Sequence, residues 1–105
     1  MARFDIYSNP GKSQKNFPFL LDVQSNIISG LATRIVIPLR RLALLSSVSL
    51  PSDLFPIVDI SGVAYFLDTP QLGAIPLSEL KSKVGSARSQ QSEIQAALDR
   101  VFGAY

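Results

Sequence analysis

The sequence lacks several of the residue types from which protein sites are most often built. Its 105 residues contain no cysteine, no histidine and no tryptophan. Without cysteine, disulfide scaffolds and thiolate metal sites are excluded, and a reducing cytoplasm is the expected compartment. Without histidine, the chain lacks the commonest general base and the commonest metal ligand, and a Ser-His-Asp triad is excluded.

Long apolar runs and concentrated charge are missing as well. No stretch approaches the roughly 18 apolar residues that span a bilayer, and the first residues have no apolar signal-peptide core, so we expect no membrane partner. The net charge is only +2, and the positive residues are spread along the chain. Nucleic-acid binders usually cluster positive charge, so this dispersal argues against direct binding of DNA or RNA. The six glycines are single and scattered, which excludes a phosphate-cradling loop.

Apolar residues are plentiful, at 47% of the chain, and this content argues against disorder. A chain of this length buries about two-thirds of its unfolded surface and supports one core. We therefore expect a single domain over residues 1–105. Few polar residues remain to cover the outside, so we also expect some apolar surface to be covered by a partner subunit.

Most of the chain has the period-2 pattern of β-strands. Apolar and polar residues alternate over residues 2–7, which predicts a half-buried strand. Further strands are predicted over 17–24, 34–41, 54–61 and 63–69, the last two joined by a tight turn at Ser61-Gly62. Pro38 predicts an edge position or a bulge in its strand. Pro70 and Pro76 exclude a regular helix around them.

The pattern changes to period 3.6 from about Ser86 to the end of the chain, which predicts a helix. The expected fold class is therefore mainly β, with about five antiparallel strands and one C-terminal helix. The apolar stripe of this helix continues to the last residue, where domains are usually frayed and polar. Its members are Ile94, Leu98, Val101, Phe102 and Tyr105.

Three segments, in order along the chain, resemble the CcdB family of toxins from bacterial type II toxin–antitoxin systems. They are FPFLLDVQSNIISGLATRIVIPL, LFPIVDISGVAYFLDTPQLGAIPLSEL and EIQAALDRVFGAY. The most specific parts are Asp22-Val23-Gln24-Ser25 and residues 34–39, supported by residues 56–60 and 74–76. Each motif is short, but their order and gaps match the family over essentially the whole chain.

This resemblance implies a five-stranded antiparallel sheet with an SH3-like barrel core, a small extra sheet and a C-terminal helix. It implies a homodimer that binds the A subunit of DNA gyrase and traps the gyrase–DNA cleavage complex. A CcdA-like antitoxin would neutralise the toxin and repress the operon with it, so that operator DNA is bound only through the antitoxin complex. The family is not enzymatic, and the resemblance implies no catalytic residue, cofactor or metal.

The resemblance also implies where gyrase binds, because the family uses its C-terminal helix and an adjoining loop. Carried across by position, the expected gyrase-binding residues are Ile27, Ile28, Gln91, Ser92, Gln95, Asp99, Phe102, Gly103, Ala104 and Tyr105. In the best-known members, which end in Trp-Gly-Ile, the tryptophan rings of both subunits sandwich a gyrase arginine, a cation–π contact of about 0.5–2 kcal/mol each. In strict register the last three residues occupy these positions, whereas a slip of one residue aligns Phe102 with the tryptophan. Asp99 would add a charge pair with the same arginine.

Two alternatives stay open. MazF-like endoribonuclease toxins share this type of barrel, and they would use a sheet-edge arginine, here Arg34, to stabilise the charge developing on a phosphate. An exposed arginine at a strand end, without catalytic function, is the more ordinary interpretation of Thr33-Arg34. The other alternative is a degenerate homologue that binds antitoxin and regulates its operon but inhibits nothing.

Overall fold

The structure is a computed structural model that describes residues 2–26, 30–44 and 51–103, without the side chains of Lys12, Ser13 and Leu44. In these residues seven strands form one antiparallel sheet, and one α-helix follows. No helix in the described part of the chain is long and apolar enough to cross a bilayer. The elements are β1 Asp5–Ser8, β2 Phe19–Asp22, β3 Thr33–Arg41, β4 Ile57–Ile60, β5 Val63–Leu67, β6 Gly73–Pro76, β7 Lys83–Ser86 and α1 Gln91–Phe102.

The sheet has the order β4-β5-β3-β2-β1-β7, with β6 beside the first half of β3. The long strand β3 is central, because it pairs with β2 on one side and with two strands on the other. On that other side, residues 33–36 pair with β6 and residues 39–41 pair with β5. This change of partner curls the sheet into a half-barrel, and the expected mainly β fold with a C-terminal helix is confirmed.

Pro38 lies inside this central strand, so the prediction of an edge position is wrong. No bulge interrupts the pairing either, because β2 and β3 stay in continuous register from Phe19↔Leu39 to Asp22↔Val36. The Pro38 carbonyl accepts a hydrogen bond of 2.9 Å from the Asp68 amide. Since the N–H and C=O of a strand residue point the same way, the missing N–H of Pro38 faces the gap between β6 and β5. The sheet therefore loses no ladder hydrogen bond there.

The helix packs on one face of the sheet and completes the main hydrophobic core. Ile94 of α1 is fully buried, and so are Leu21, Ile37, Leu39 and Leu67 from the strands. Burying side chains of this size stabilises the fold by about 1.5–3 kcal/mol each. The sheet and helix are thus held together by the inner part of the stripe that the sequence shows.

The opposite face of the sheet is also covered. The prediction that the first strand is half-buried is therefore wrong, because three of the four residues of β1 are buried. Tyr7, Leu20, Val36 and Leu80 form a second, smaller cluster there, with Ile75 packed against it. Strand β6 and the turn that ends at Leu80 supply the cover. An alternation of apolar and polar residues shows two faces of a strand, but it does not show that a later segment folds over the second one.

Two strands, β6 and β7, were not predicted, and the helix begins later than expected. Ser86, the predicted start, is the last residue of β7 and pairs with Asp5 of β1. A 3₁₀ turn at Arg88–Gln90 follows before α1 begins. The turn at Ser61-Gly62 is confirmed, because both residues have positive φ, 52° and 81°, as a two-residue type I′ hairpin requires.

Candidate functional site

The C-terminal helix has one face buried against the sheet and an exposed C-terminal end. Ile94, Ala97 and Leu98 are buried against the sheet, and Val101 is half-buried. The helix ends where Gly103 adopts a left-handed conformation, φ 70°, and donates its amide to the carbonyl of Arg100. Glycine adopts this conformation without a steric penalty, so it is the usual residue after the last turn of a helix.

Phe102 lies just before this cap with 70% of its surface exposed. It is the most exposed large apolar side chain among the described residues. Single exposed apolar residues are common, so exposure alone does not define a site. Ala104 and Tyr105, which the sequence placed beside Phe102 on the same surface, lie outside the described residues.

Polar residues of the expected site share the flank of the helix on which Phe102 lies. Gln91, Ser92 and Gln95 are exposed and Asp99 is half-buried. The Gln95 side-chain amide donates a hydrogen bond of 3.1 Å to Oδ1 of Asp99 one turn later. The structure therefore brings together five of the expected residues that it describes on the helix, with Gly103 capping the same end.

The expected loop residues Ile27 and Ile28 lie outside the described residues, but the residues just before them are described. Asn26 is exposed, and its Oδ1 accepts a hydrogen bond of 2.8 Å from the Arg3 amide. Arg3 also reaches the helix, because its Nη2 donates to Oε1 of Gln95 at 2.9 Å. The entry to the loop and the exposed flank of the helix are thus joined through one residue.

Arg3 is not among the residues expected from the sequence, where it falls on a polar position of the strand predicted over residues 2–7. Its Nε donates a hydrogen bond of 2.9 Å to the carbonyl of Val23, the residue that follows β2. Nothing in the local sequence marks a hydrogen bond between residues 92 positions apart. Only the fold, which places the residues before β1 beside the helix, brings Arg3 and Gln95 together.

The other flank of α1 is held by residues of the segment before and within β4. Arg100 forms an ion pair with Asp53 in which both side chains are substantially exposed. The side-chain amide of Gln90 donates a hydrogen bond of 2.7 Å to the carbonyl of Ile57. Polar contacts therefore flank the helix on both sides, and the exposed ion pair adds little to its stability.

Arg34, the candidate anion-stabilising residue, is buried and is only 6% exposed. Its Nε and Nη2 donate to the two carboxylate oxygens of Asp22, each at 2.9 Å. Nη2 also contacts the carbonyl of Gln24 at 3.3 Å. From the sequence, Arg34 was interpreted either as an exposed residue at a strand end or as a catalytic group at a sheet edge. Both interpretations are wrong about its position, because β3 is central and Arg34 is buried. Its guanidinium is paired with the Asp22 carboxylate.

A cleft of about 210 Å³ opens on the sheet face opposite the helix. Its walls include Phe17, Pro38 and Ile75, with Asn9 and Glu79 among the polar residues. Asn9 holds the neighbouring loop, since its Nδ2 donates to the Phe17 carbonyl and its Oδ1 accepts from the Gly11 amide. In the described part of the chain, no three His, Cys, Asp or Glu side chains are grouped to hold a metal ion.

Comparison with known proteins identifies a solved structure that shares this fold and a protein family that matches the chain. Among solved structures, an endoribonuclease in complex with its cognate antitoxin from a Mycobacterial species has a TM-score of 0.76 to this chain. The two are 15% identical, and the match covers 100% of this chain and 97% of the other. At this identity the match establishes a shared fold. A model of the family described as CcdB protein matches residues 3–103, so this chain belongs to the CcdB family.

Proposed function

We propose that the protein is the toxin of a type II toxin–antitoxin module, and that it binds the A subunit of DNA gyrase and traps the gyrase–DNA cleavage complex. The observation that carries this proposal is the match of the CcdB family over residues 3–103. It is supported by the fold shared with an endoribonuclease that was solved in complex with its cognate antitoxin. The mechanism is binding rather than catalysis, and it uses no cofactor or metal.

The exposed end of α1 has the chemistry that such binding needs. The ring of Phe102 is 70% exposed and available to stack on a guanidinium, a contact worth about 0.5–2 kcal/mol. Asp99, half-buried on the same flank, adds a carboxylate that would strengthen contact with the same cation. These residues lie outside the main core cluster, so a binding role for them does not conflict with folding.

The oligomeric state and the partners in the cell follow from the same proposal. Two copies would form a homodimer that places the two helix ends side by side, with Ile27, Ile28, Ala104 and Tyr105 completing the surface. A CcdA-like antitoxin would neutralise the toxin in the cytoplasm. Operator DNA would be bound only by the toxin–antitoxin complex, in agreement with the small net charge of +2 on this chain.

A cleavage assay with purified gyrase and supercoiled plasmid tests the proposal. The full-length protein is expected to produce linear DNA once the trapped complex is denatured. A variant that ends at Val101 should yield none, and it should no longer inhibit growth, while its circular dichroism spectrum and antitoxin binding stay unchanged. Absence of linear DNA with the full-length protein, or full toxicity of the shortened one, contradicts the proposal.

An endoribonuclease is the second candidate, because the structural neighbour is described as one. The buried position of Arg34 weighs against the catalytic role that the sequence analysis considered for it. Incubation of the purified protein with RNA separates the two functions. RNA cleavage that is lost in Arg34→Ala but kept in Asp22→Asn, with both variants folded, would favour the ribonuclease. Antitoxin binding without either activity would instead indicate a degenerate homologue that only regulates its operon.

A further inference from the structure

We propose that Arg3 is a positioning residue of the gyrase-binding surface, which fixes the side chains of Gln95 and Asp99 in the orientation that the partner meets. This inference rests on the proposed function and extends it to a residue outside the helix. Among the described contacts of Arg3, none is with Phe102 or Gly103 at the end of the helix. It acts through hydrogen bonds to groups that border the surface.

The hydrogen bonds along the flank of α1 run in one direction, from Arg3 through Gln95 to Asp99. The guanidinium of Arg3 only donates and the carboxylate of Asp99 only accepts. Gln95 lies between them, with Oε1 2.9 Å from Arg3 and Nε2 3.1 Å from Asp99. Only one orientation of the Gln95 amide satisfies both neighbours. If Arg3 is removed, only the hydrogen bond to Asp99 holds the Gln95 amide, so the positions of both side chains become less restricted.

A strained backbone at Phe4 places Arg3 beside the helix. Phe4 has φ 74°, a left-handed conformation that costs about 1–2 kcal/mol for a residue with a side chain. The conformation is held by two backbone hydrogen bonds, from the Phe4 amide to the Asp22 carbonyl and from the Ala87 amide to the Phe4 carbonyl. Because of this turn, strand β1 begins only at Asp5, and Arg3 leaves the line of the strand.

Arg3 contacts both the residue that precedes the 27–28 segment and the exposed flank of α1. Its backbone amide donates a hydrogen bond to Oδ1 of Asn26, which precedes the 27–28 segment in sequence. Its Nε and Nη2 donate to the Val23 carbonyl and to Oε1 of Gln95. The guanidinium carbon lies 4.7 Å from the centre of the Phe4 ring, which limits its movement. A planar guanidinium donates in two directions at once, whereas the ammonium group of a lysine is a single point charge. The geometry therefore needs arginine and not only a positive charge.

Dissociation from purified gyrase A subunit, measured by surface plasmon resonance, tests this role. Arg3→Ala is expected to dissociate about tenfold faster than the unchanged protein, the size of effect that loss of a charge-assisted hydrogen bond gives. Arg3→Lys should recover only part of the loss. Arg100→Ala is the matched control: it removes the same charge from a side chain about 140° around the helix from Gln95, and it should change the rate less than about twofold.

A double-mutant cycle distinguishes positioning from a direct contact with the partner. In a Gln95→Ala background, Arg3→Ala should have almost no further effect on dissociation, because the backbone contact with Asn26 is kept and the side-chain contact with Gln95 is already absent. The side-chain amide resonance of Gln95 should also shift and exchange faster in Arg3→Ala than in Arg100→Ala. Equal effects of Arg3→Ala and Arg100→Ala, or a full effect of Arg3→Ala without Gln95, overturn the inference alone. No binding of gyrase A by the unchanged protein overturns the proposed function and this inference together.

Discussion

Arg34 and Asp22 form a bidentate ion pair inside the curled sheet, with 7% and 0% of their side chains exposed. The Asp22 carboxylate also accepts a hydrogen bond of 3.1 Å from the backbone amide of Gln24. The side-chain Oε1 of Gln24 in turn accepts one of 3.1 Å from the backbone amide of Ile35. The pair therefore ties the end of β2 to the start of β3. The residues between these two strands include the 27–28 segment of the expected binding surface.

Asp22→Ala should strongly destabilise the protein, because it leaves the guanidinium of Arg34 buried without a counter-charge. We expect the free energy of unfolding to fall by about 3–5 kcal/mol in urea titrations. The control is Asp53→Ala, which breaks the exposed ion pair with Arg100 and should cost about 1 kcal/mol or less. Equal losses in the two variants would show that burial of the Asp22–Arg34 pair has no special weight.

The residues that the sequence placed correctly are those whose signal is local. Ser61-Gly62 is recognised as a turn because the strands on both sides alternate and glycine follows serine at the tip. The helix is recognised because Ile94 and Leu98 recur at helical spacing. In contrast, β6 and β7 are four residues each and gain their strand form from pairing with β3 and β1, which lie far away in sequence.

The candidate site could be proposed from the sequence only as far as the family resemblance reached. The resemblance indicated the exposed flank of α1, including Gln95, Asp99 and Phe102, and the structure places these three on one side. It did not indicate Arg3, whose contacts depend on a left-handed Phe4 that no sequence pattern marks. It also did not reveal that Arg34 is buried, because the pairing of β3 on both sides is a property of the whole sheet.

Gly62→Ala should destabilise the β4–β5 hairpin, since Gly62 has φ 81° and a side chain there is strained. The expected loss is about 1–2 kcal/mol in the free energy of unfolding. Gly85→Ala is the matched control in β7: its backbone is not left-handed and an added Cβ meets no atom within 4 Å. Thermal unfolding of both variants checks this, and a Gly85→Ala loss as large as that of Gly62→Ala would contradict it.

Asp68→Asn should alter how stability depends on pH. Burial raises the pKa of Asp68 above its ordinary value, and Arg40, 3.6 Å away, lowers it only in part. The folded state therefore holds a proton on Asp68 more tightly than the unfolded chain does. Its contribution to stability is complete below the unfolded pKa and is lost as the pH rises through the folded one.

The asparagine is neutral at every pH, so Asp68→Asn should be at least as stable as the unchanged protein at pH 7, and this advantage should shrink in acid. Urea titrations between about pH 3 and pH 7 measure the difference. Asp59→Asn, at an exposed position of β4, makes the same change of net charge and serves as the control. A lower stability of Asp68→Asn at pH 7, with no dependence on pH, would contradict the prediction.

Phe102→Ala should separate binding from folding. Because Phe102 is 70% exposed, we expect its removal to change the free energy of unfolding by less than about 0.5 kcal/mol. Leu98→Ala, four residues earlier and 8% exposed, should cost about 2–5 kcal/mol by opening a cavity under the helix. Phe102→Ala should nevertheless lose growth inhibition and the trapping of cleaved DNA by gyrase.

The aromatic face itself is tested by Phe102→Trp, which should strengthen gyrase trapping because tryptophan gives the strongest cation–π contact of the aromatic residues. Phe102→Leu keeps the apolar character and removes the π face, so it should behave like the alanine variant. The linear DNA formed per molecule of gyrase measures all three. Full activity of Phe102→Leu would mean that the end of α1 binds through apolar burial alone, without a stacked cation.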